Sequence, residues 1–208
     1  NDLSVTPTKL TAFDGTASDQ FGITTAVTSD KIVVGATNDL GQKGSVYVFD
    51  ANDLSVTPTK LTAFDGAGQD FFGRSVVVTD DKIVIGAPND DDRGTQSGSV
   101  YVYDANNLSD TPTKLTAFDG AASDYFGYSV DATSDKIVVG AYRDDDNGSS
   151  SGAVYVFVAE ERPAQTTKLT PLARHLGEKF GWSVVVPADK NVFTEIYDDD
   201  NACNSGSI

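Results

Sequence analysis

The sequence predicts an all-β chain built from repeated four-stranded antiparallel units. Two observations carry that prediction. The first is internal repetition: "TPTKLTAFDG" stands at 6–15, 57–66 and 111–120, and returns in altered form as "TTKLTPLARH" at 166–175. A Phe-Gly pair follows each copy, at Phe21-Gly22, Phe72-Gly73, Phe126-Gly127 and Phe180-Gly181, with spacings of 51, 54 and 54 residues. The second is composition within the repeat. Short runs rich in Val, Ile, Tyr, Phe and Thr alternate with Gly, Asp, Asn, Ser and Pro clusters, and no segment sustains a helical period. Repetition at this period places the chain among stacked-unit architectures.

Each repeat supplies four runs. Run A is the Phe-Gly pair with the Ser-Val that follows, as in "FGYSV" (126–130). Run B is "DKIVVGA" (30–36), "DKIVIGA" (81–87) and "DKIVVGA" (135–141), altered to "DKNVFTE" at 189–195. Run C is "GSVYVF" (44–49), "GSVYVY" (98–103) and "GAVYVF" (152–157), and run D is the "TKLTAF" stretch. B and C are apolar at consecutive positions, the pattern of a strand covered on both faces. Four-stranded sheets whose inner strands are covered by neighbouring sheets are the blades of a β-propeller. A β-solenoid is the rival, but its repeats are usually much shorter. The repeat units run about 1–51, 52–105, 106–159 and 160–208.

The runs "FGYSV", "KIVVGA" (136–141) and "SGAVYVF" (151–157) resemble the FG-GAP repeat, the blade unit of the integrin α-chain head and of many secreted or surface proteins of microbes and algae. Only "GAP" at 86–88 has the full Gly-Ala-Pro. The resemblance implies a propeller and an adhesion, matrix or recognition role. In a closed four-bladed ring the last sheet would lack most of one strand, leaving an open edge that native sheets avoid. A piece of a larger, seven-bladed type of ring is therefore preferred over a four-bladed ring or a ring shared by two chains. The chain contains no methionine and reads as processed, or as part of something longer.

Strand order sorts the loops. The D–A and B–C loops emerge on one face of the ring, and the A–B turns and C–D loops on the other. The first face collects Asp14, Asp19, Asp65, Asp70, Asp119 and Asp124 from D–A loops. It also collects Asp39 and the triplets Asp90-Asp91-Asp92, Asp144-Asp145-Asp146 and Asp198-Asp199-Asp200 from B–C loops. Clustered carboxylates raise one another's pKa unless a cation neutralises them. Calcium takes six to eight oxygen ligands, so the nine triplet aspartates are candidate Ca2+ ligands. The alternative is that Asp, Asn, Gly and Ser simply make wet turns. The resemblance implies calcium in a D-x-D-x-D-G loop between A and B, but that place holds only "VTSD" (27–30), "VTDD" (78–81), "ATSD" (132–135) and "PADK" (187–190). The family site therefore does not carry over.

The net charge is −16, with 15 Lys+Arg against 31 Asp+Glu. That field repels nucleic acid and anionic membrane and attracts cations and basic partners. No apolar run approaches the roughly 20 residues of a membrane span. The single histidine, His175, and the single cysteine, Cys203, have no catalytic context, and no G-x-S-x-G elbow occurs, so no enzyme is expected. The fourth D–A loop breaks the acidic rim with Arg174, His175 and Lys179, a candidate partner contact. Trp182 follows the last Phe-Gly pair, where packing between blades is the default and stacking on sugar the alternative. Asn107 ("NLS") and Asn147 ("NGS") are N-glycosylation acceptors if the chain is secreted.

The expectation is a non-enzymatic extracellular or cell-surface propeller that binds a protein or glycan at its acidic loop face, or assembles with itself. A structural subunit of a filament or cell covering, a lectin, and an accessory propeller of an enzyme are the alternatives.

Overall fold

A computed structural model describes residues 6–158, 166–171, 179–186 and 192–194, with residues 192–194 described by their backbone only. Arg174, His175, Asp198, Asp199, Asp200 and Cys203 lie outside the described residues. Three complete antiparallel sheets follow one another along the chain. The first contains β1 (Phe21–Val27), β2 (Lys31–Ala36), β3 (Ser45–Asp50) and β4 (Thr59–Leu61). The second contains β5 (Ser75–Val78), β6 (Lys82–Ala87), β7 (Ser99–Asp104) and β8 (Thr113–Leu115). The third contains β9 (Ser129–Ala132), β10 (Lys136–Ala141), β11 (Ala153–Val158) and β12 (Thr166–Leu169). β13 (Ser183–Val185) pairs with β14 (Val192–Thr194) in a fourth sheet. Each complete sheet keeps the spatial order A-B-C-D, and this is the all-β propeller architecture read from the repeats. The only helical element among the described residues is one turn, Asp39–Gln42, in the shortened first B–C loop.

Consecutive apolar residues in runs B and C are explained by stacking. Side chains alternate across a strand. Ile83 and Ile85 therefore join a core with Val33, Val46 and Leu61 of the preceding blade, while Val84 joins Phe126, Ile137 and Val139 of the following one. Val138 and Val154 likewise face Val184 and Val186.

The Phe-Gly pair locks one blade into the one before it. Phe72 and Phe126 are fully buried, and each stabilises its interface by roughly 2–3 kcal/mol through apolar burial. Their backbone N–H groups donate to Lys43 O at 3.0 Å and Ser97 O at 3.0 Å in the preceding blade, and Phe180 N–H donates to Ser151 O at 2.9 Å. Hydroxyls reach the other way: Thr24 donates to Gly73 O (2.7 Å), Ser75 to Gly127 O (2.8 Å) and Ser129 to Gly181 O (2.8 Å). Backbone packs on backbone so closely that a Cβ on Gly86 would lie 2.0 Å from Gly127 O, and one on Gly98 would lie 2.0 Å from Phe126 O. Gly127 itself has φ +87°, a conformation that L side chains rarely adopt.

One expected strand is absent. Thr8–Leu10 repeats the sequence of β4 but forms no ladder, because no strand among the described residues lies beside it. Leu10 and Ala12 nonetheless pack on Val34, Ala36, Tyr47 and Phe49 of the first blade.

Gly86→Ala should cost about 3 kcal/mol or more in chemical denaturation, since overpacking against backbone has little room to relax. Gly68→Ala, whose nearest neighbour would be 3.6 Å away, should change stability little, and equal effects would refute the close-approach account.

Candidate functional site: a lysine-tyrosine-aspartate cluster in each blade

The third residue of the "SVYVF" run is a tyrosine facing inward under the acidic rim: Tyr47, Tyr101 and Tyr155, all buried. The ladder sets a lysine of strand D directly opposite each, in the register pairs Tyr47 with Lys60, Tyr101 with Lys114 and Tyr155 with Lys168. Each lysine Nζ also lies 5.2–5.4 Å from the centre of that tyrosine ring.

Two loops of the rim converge on this pair. Tyr101 OH lies 2.6 Å from Asp65 of the D–A loop and 3.0 Å from Asp90 of the B–C loop. A phenol has one proton, so it cannot satisfy two carboxylates by itself. Lys114 completes the set, with Nζ 2.7 Å from Asp65, 2.9 Å from Asp90 and 2.6 Å from Asp92. The third blade repeats the arrangement: Tyr155 OH meets Asp119 (2.8 Å) and Asp144 (2.9 Å), and Lys168 meets Asp119 (2.9 Å), Asp144 (2.7 Å) and Asp146 (2.6 Å). In the first blade Asp39 occupies the place of Asp90, with Tyr47 OH at 3.0 Å and Lys60 at 2.6 Å, and Asp14 stands for Asp65. The shortened loop has thus kept the inward aspartate.

Electrostatics follow from this packing. Burial works to raise the carboxyls of Asp65 and Asp119, but hydrogen bonds from the lysine and the tyrosine more than offset it and hold both below the usual range. Burial alone would lower Lys114 and Lys168, yet three carboxylates keep each ammonium well above its ordinary value. Burial and the adjacent carboxylates push the Tyr101 and Tyr155 hydroxyls far up, so their protons stay in place.

The triplets are therefore not uniform. Asp90 and Asp144 are buried, whereas Asp91, Asp92, Asp145 and Asp146 are exposed. Asp92 and Asp146 close on the lysine, and Asp91 accepts the Gln96 N–H at 2.7 Å. Asp65, Asp90 and Asp92 have carboxylate oxygens near enough to one another to hold a metal ion, and the Lys114 ammonium lies within 2.9 Å of all three carboxylates. Asp70 and Asp124 are buried turn acceptors: Asp70 takes the Ala67 N–H at 2.6 Å and Asp124 the Ala121 N–H at 2.7 Å. Burial, with help from Asp144 and Asp145, pushes Asp124 up to about 6. The sequence reading passed over the lysines and tyrosines, although their recurrence in every "TKL" and every "VYV" was a visible signal.

The remaining sequence candidates are scattered. Asn107 is exposed in a C–D loop, with its Oδ1 accepting from the Ser109 hydroxyl at 2.7 Å. Asn147 is half-buried and donates its side-chain amide to Pro171 O at 2.8 Å. Lys179 lies 5.1 Å from the Trp182 ring. No helix among the described residues is long and apolar enough to cross a membrane.

Two expectations follow. Lys114→Met strands the carboxylate of Asp90, which is 5% exposed, and should cost about 3 kcal/mol in urea unfolding, with partial recovery in Lys114→Met/Asp90→Asn. A loss below about 1 kcal/mol would put the cluster with ordinary surface ion pairs. Because the folded pKa of Asp124 is raised, its contribution is fully present below the unfolded value and is lost as pH rises from about 4 through about 6. Asp124→Asn should therefore flatten stability between pH 4.5 and 7, removing roughly 1–2 kcal/mol of pH dependence after allowance for solvent screening. An unchanged pH profile would contradict this.

Comparison with known proteins agrees with the geometry. The FG-GAP repeat family model matches residues 6–49, 57–103 and 111–157, more than half of the chain. A comparison with curated proteins finds no match. Three consecutive matched copies show that this chain belongs to the FG-GAP repeat family.

Proposed function

We propose that this chain is a non-enzymatic recognition or assembly module of an extracellular or cell-surface protein. Its blades form a rigid frame, and its D–A and B–C loops form the contact face. The observation that supports this most directly is how the rim acids are used. In the second and third blades Asp65, Asp90, Asp92, Asp119, Asp144 and Asp146 are engaged by a lysine that sits against a buried tyrosine. Carboxylates held this way stiffen loops and are poorly placed to move protons in catalysis. The strongly acidic composition and the exposed acceptor Asn107 suit an extracellular setting.

Calcium is not needed for this reading. The ammonium supplies the positive charge that a Ca2+ ion would bring, on a side chain that the fold itself delivers. In blades two and three each lysine meets three aspartates within 2.9 Å. Self-assembly is the second reading, and Phe13, Phe64 and Phe118 support it. They recur at the same place in each copy, and each is more than half exposed.

Millimolar CaCl2 and EDTA should leave the melting temperature unchanged within about 1 °C, whereas a site that binds at a hundred times its Kd would add about 2.7 kcal/mol. A clear calcium-dependent rise would restore the metal reading. Sedimentation across a concentration series and a glycan and matrix-protein array test the module itself. A chain that stays monomeric and binds nothing on the array would overturn the proposal.

A further inference from the structure

The repeats are near-identical where they make the frame, so the positions where they diverge single themselves out. The residue after each Phe-Gly pair is Ile23, Arg74, Tyr128 and Trp182 in turn. Ile23 lies within β1, and Arg74, Tyr128 and Trp182 stand immediately before β5, β9 and β13 respectively; the A strands of successive blades lie next to one another. A groove of about 390 Å3 opens between them, lined by residues of all four A strands, among them Arg74, Tyr128 and Trp182.

Its walls combine three kinds of chemistry. The first is aromatic. Tyr128 and Trp182 have ring centres 4.8 Å apart, and buried Tyr142 packs behind them at 4.4 Å from Tyr128 and 4.8 Å from Trp182. The second is cationic. The Arg74 guanidinium lies 4.3 Å from the Tyr128 ring centre, and Arg143 stands nearby over Tyr125 (5.2 Å) and Tyr142 (5.5 Å). Five described lysines pair with aspartates, yet neither Arg74 nor Arg143 has a carboxylate within salt-bridge distance among the described residues. A guanidinium stacked on a ring keeps its in-plane N–H fork for a planar anion. The third is hydroxylic. Thr24, Ser75 and Ser129 line the groove, and each donates its proton to a glycine carbonyl, which leaves the hydroxyl oxygen able to accept.

We propose that this groove between the A strands is a binding site for a carboxylated sugar of the uronate class. The carboxylate sits on the fork of Arg74, which Tyr128 backs, the sugar's C–H face packs against Trp182, and its hydroxyls donate to the Ser and Thr oxygens. A plain carboxylate would use only the arginine, and a neutral sugar would leave it unanswered. The divergence of this ring of positions, against the copying of every glycine that seats one blade on the next, fits a site specialised after the blades were multiplied. The inference rests on the recognition reading above and gives it a ligand class.

Trp182 is the only tryptophan in the chain, so its emission reports directly on the groove. Titration with trigalacturonate should give a saturable change, and the fully methyl-esterified trimer should bind at least about ten-fold more weakly, because the charge-assisted bidentate bond is lost. Arg74→Gln should lose about the same factor with an unchanged melting temperature, while Arg93→Gln, at an exposed loop position, should bind normally. No saturable response to trigalacturonate at millimolar concentration overturns the site. Equal binding of the ester, or of Arg74→Gln, removes the carboxylate from it. Binding of hexaglutamate as tight as that of the uronate removes the sugar. In each of these cases an array hit elsewhere on the molecule would leave the recognition module standing.

Discussion

The structure depends on the approach of backbone to backbone between neighbouring blades. A sheet with both faces apolar cannot exist alone in water, so each blade must find a partner on each side. The Phe-Gly pair is how it does so. The buried phenylalanine fills the interface, its N–H joins the preceding blade, and the glycine carbonyl accepts a hydroxyl from that blade's first strand. This fit leaves no room for a Cβ on Gly86 or Gly140, whose nearest neighbour would be the facing glycine carbonyl at 2.0 Å or less. The repeated glycines of "VGA" and "IGA" are thus interface residues rather than turn residues.

The lysine-tyrosine-aspartate cluster does for the rim what the Phe-Gly pair does for the stack. It binds a B–C loop and a D–A loop to the same strand pair, through residues that come from two successive repeats. Lys114 and Asp90 are 24 residues apart, and Tyr101 and Asp65 are 36. Opposite charges with matched donors make the acidic rim tolerable, which a wholly solvated cluster of like charges would not be. With its acids held in this way, the molecule has somewhere rigid to mount variable side chains, and the ring of positions after each Phe-Gly pair is where that variation appears.

Much of the fold was legible because the repeat acts as its own alignment. Four β runs per unit, inner strands covered on both faces, and the assignment of loops to two rims all follow from periodicity and alternation. The run at Thr8–Leu10 shows the limit of that logic, since an identical sequence forms a strand at Thr59–Leu61 only because β3 lies beside it. The acidic site was legible in location but not in chemistry. Asp90 and Asp91 are neighbours of the same type, yet one is buried against a tyrosine and a lysine while the other is exposed. Asp124 looks like another rim acid and is instead a buried turn acceptor. Burial of this kind depends on where the chain turns back, which local sequence does not encode.

The class of architecture, the blade frame and the face on which the acid gathers are all readable from residue order, because they depend on short-range alternation repeated several times. Which charges meet is set by the folded packing. A lysine at strand D reads as a solvent-facing residue until the ladder places it across from a tyrosine and two loops fold over both. The same holds for the groove between the A strands: Arg74, Tyr128 and Trp182 lie 54 residues apart in steps along the chain and become neighbours only when the first strands of successive blades pack together. Coulomb energy and aromatic contact act over a few ångströms, so they answer to the packing of blades and not to sequence spacing.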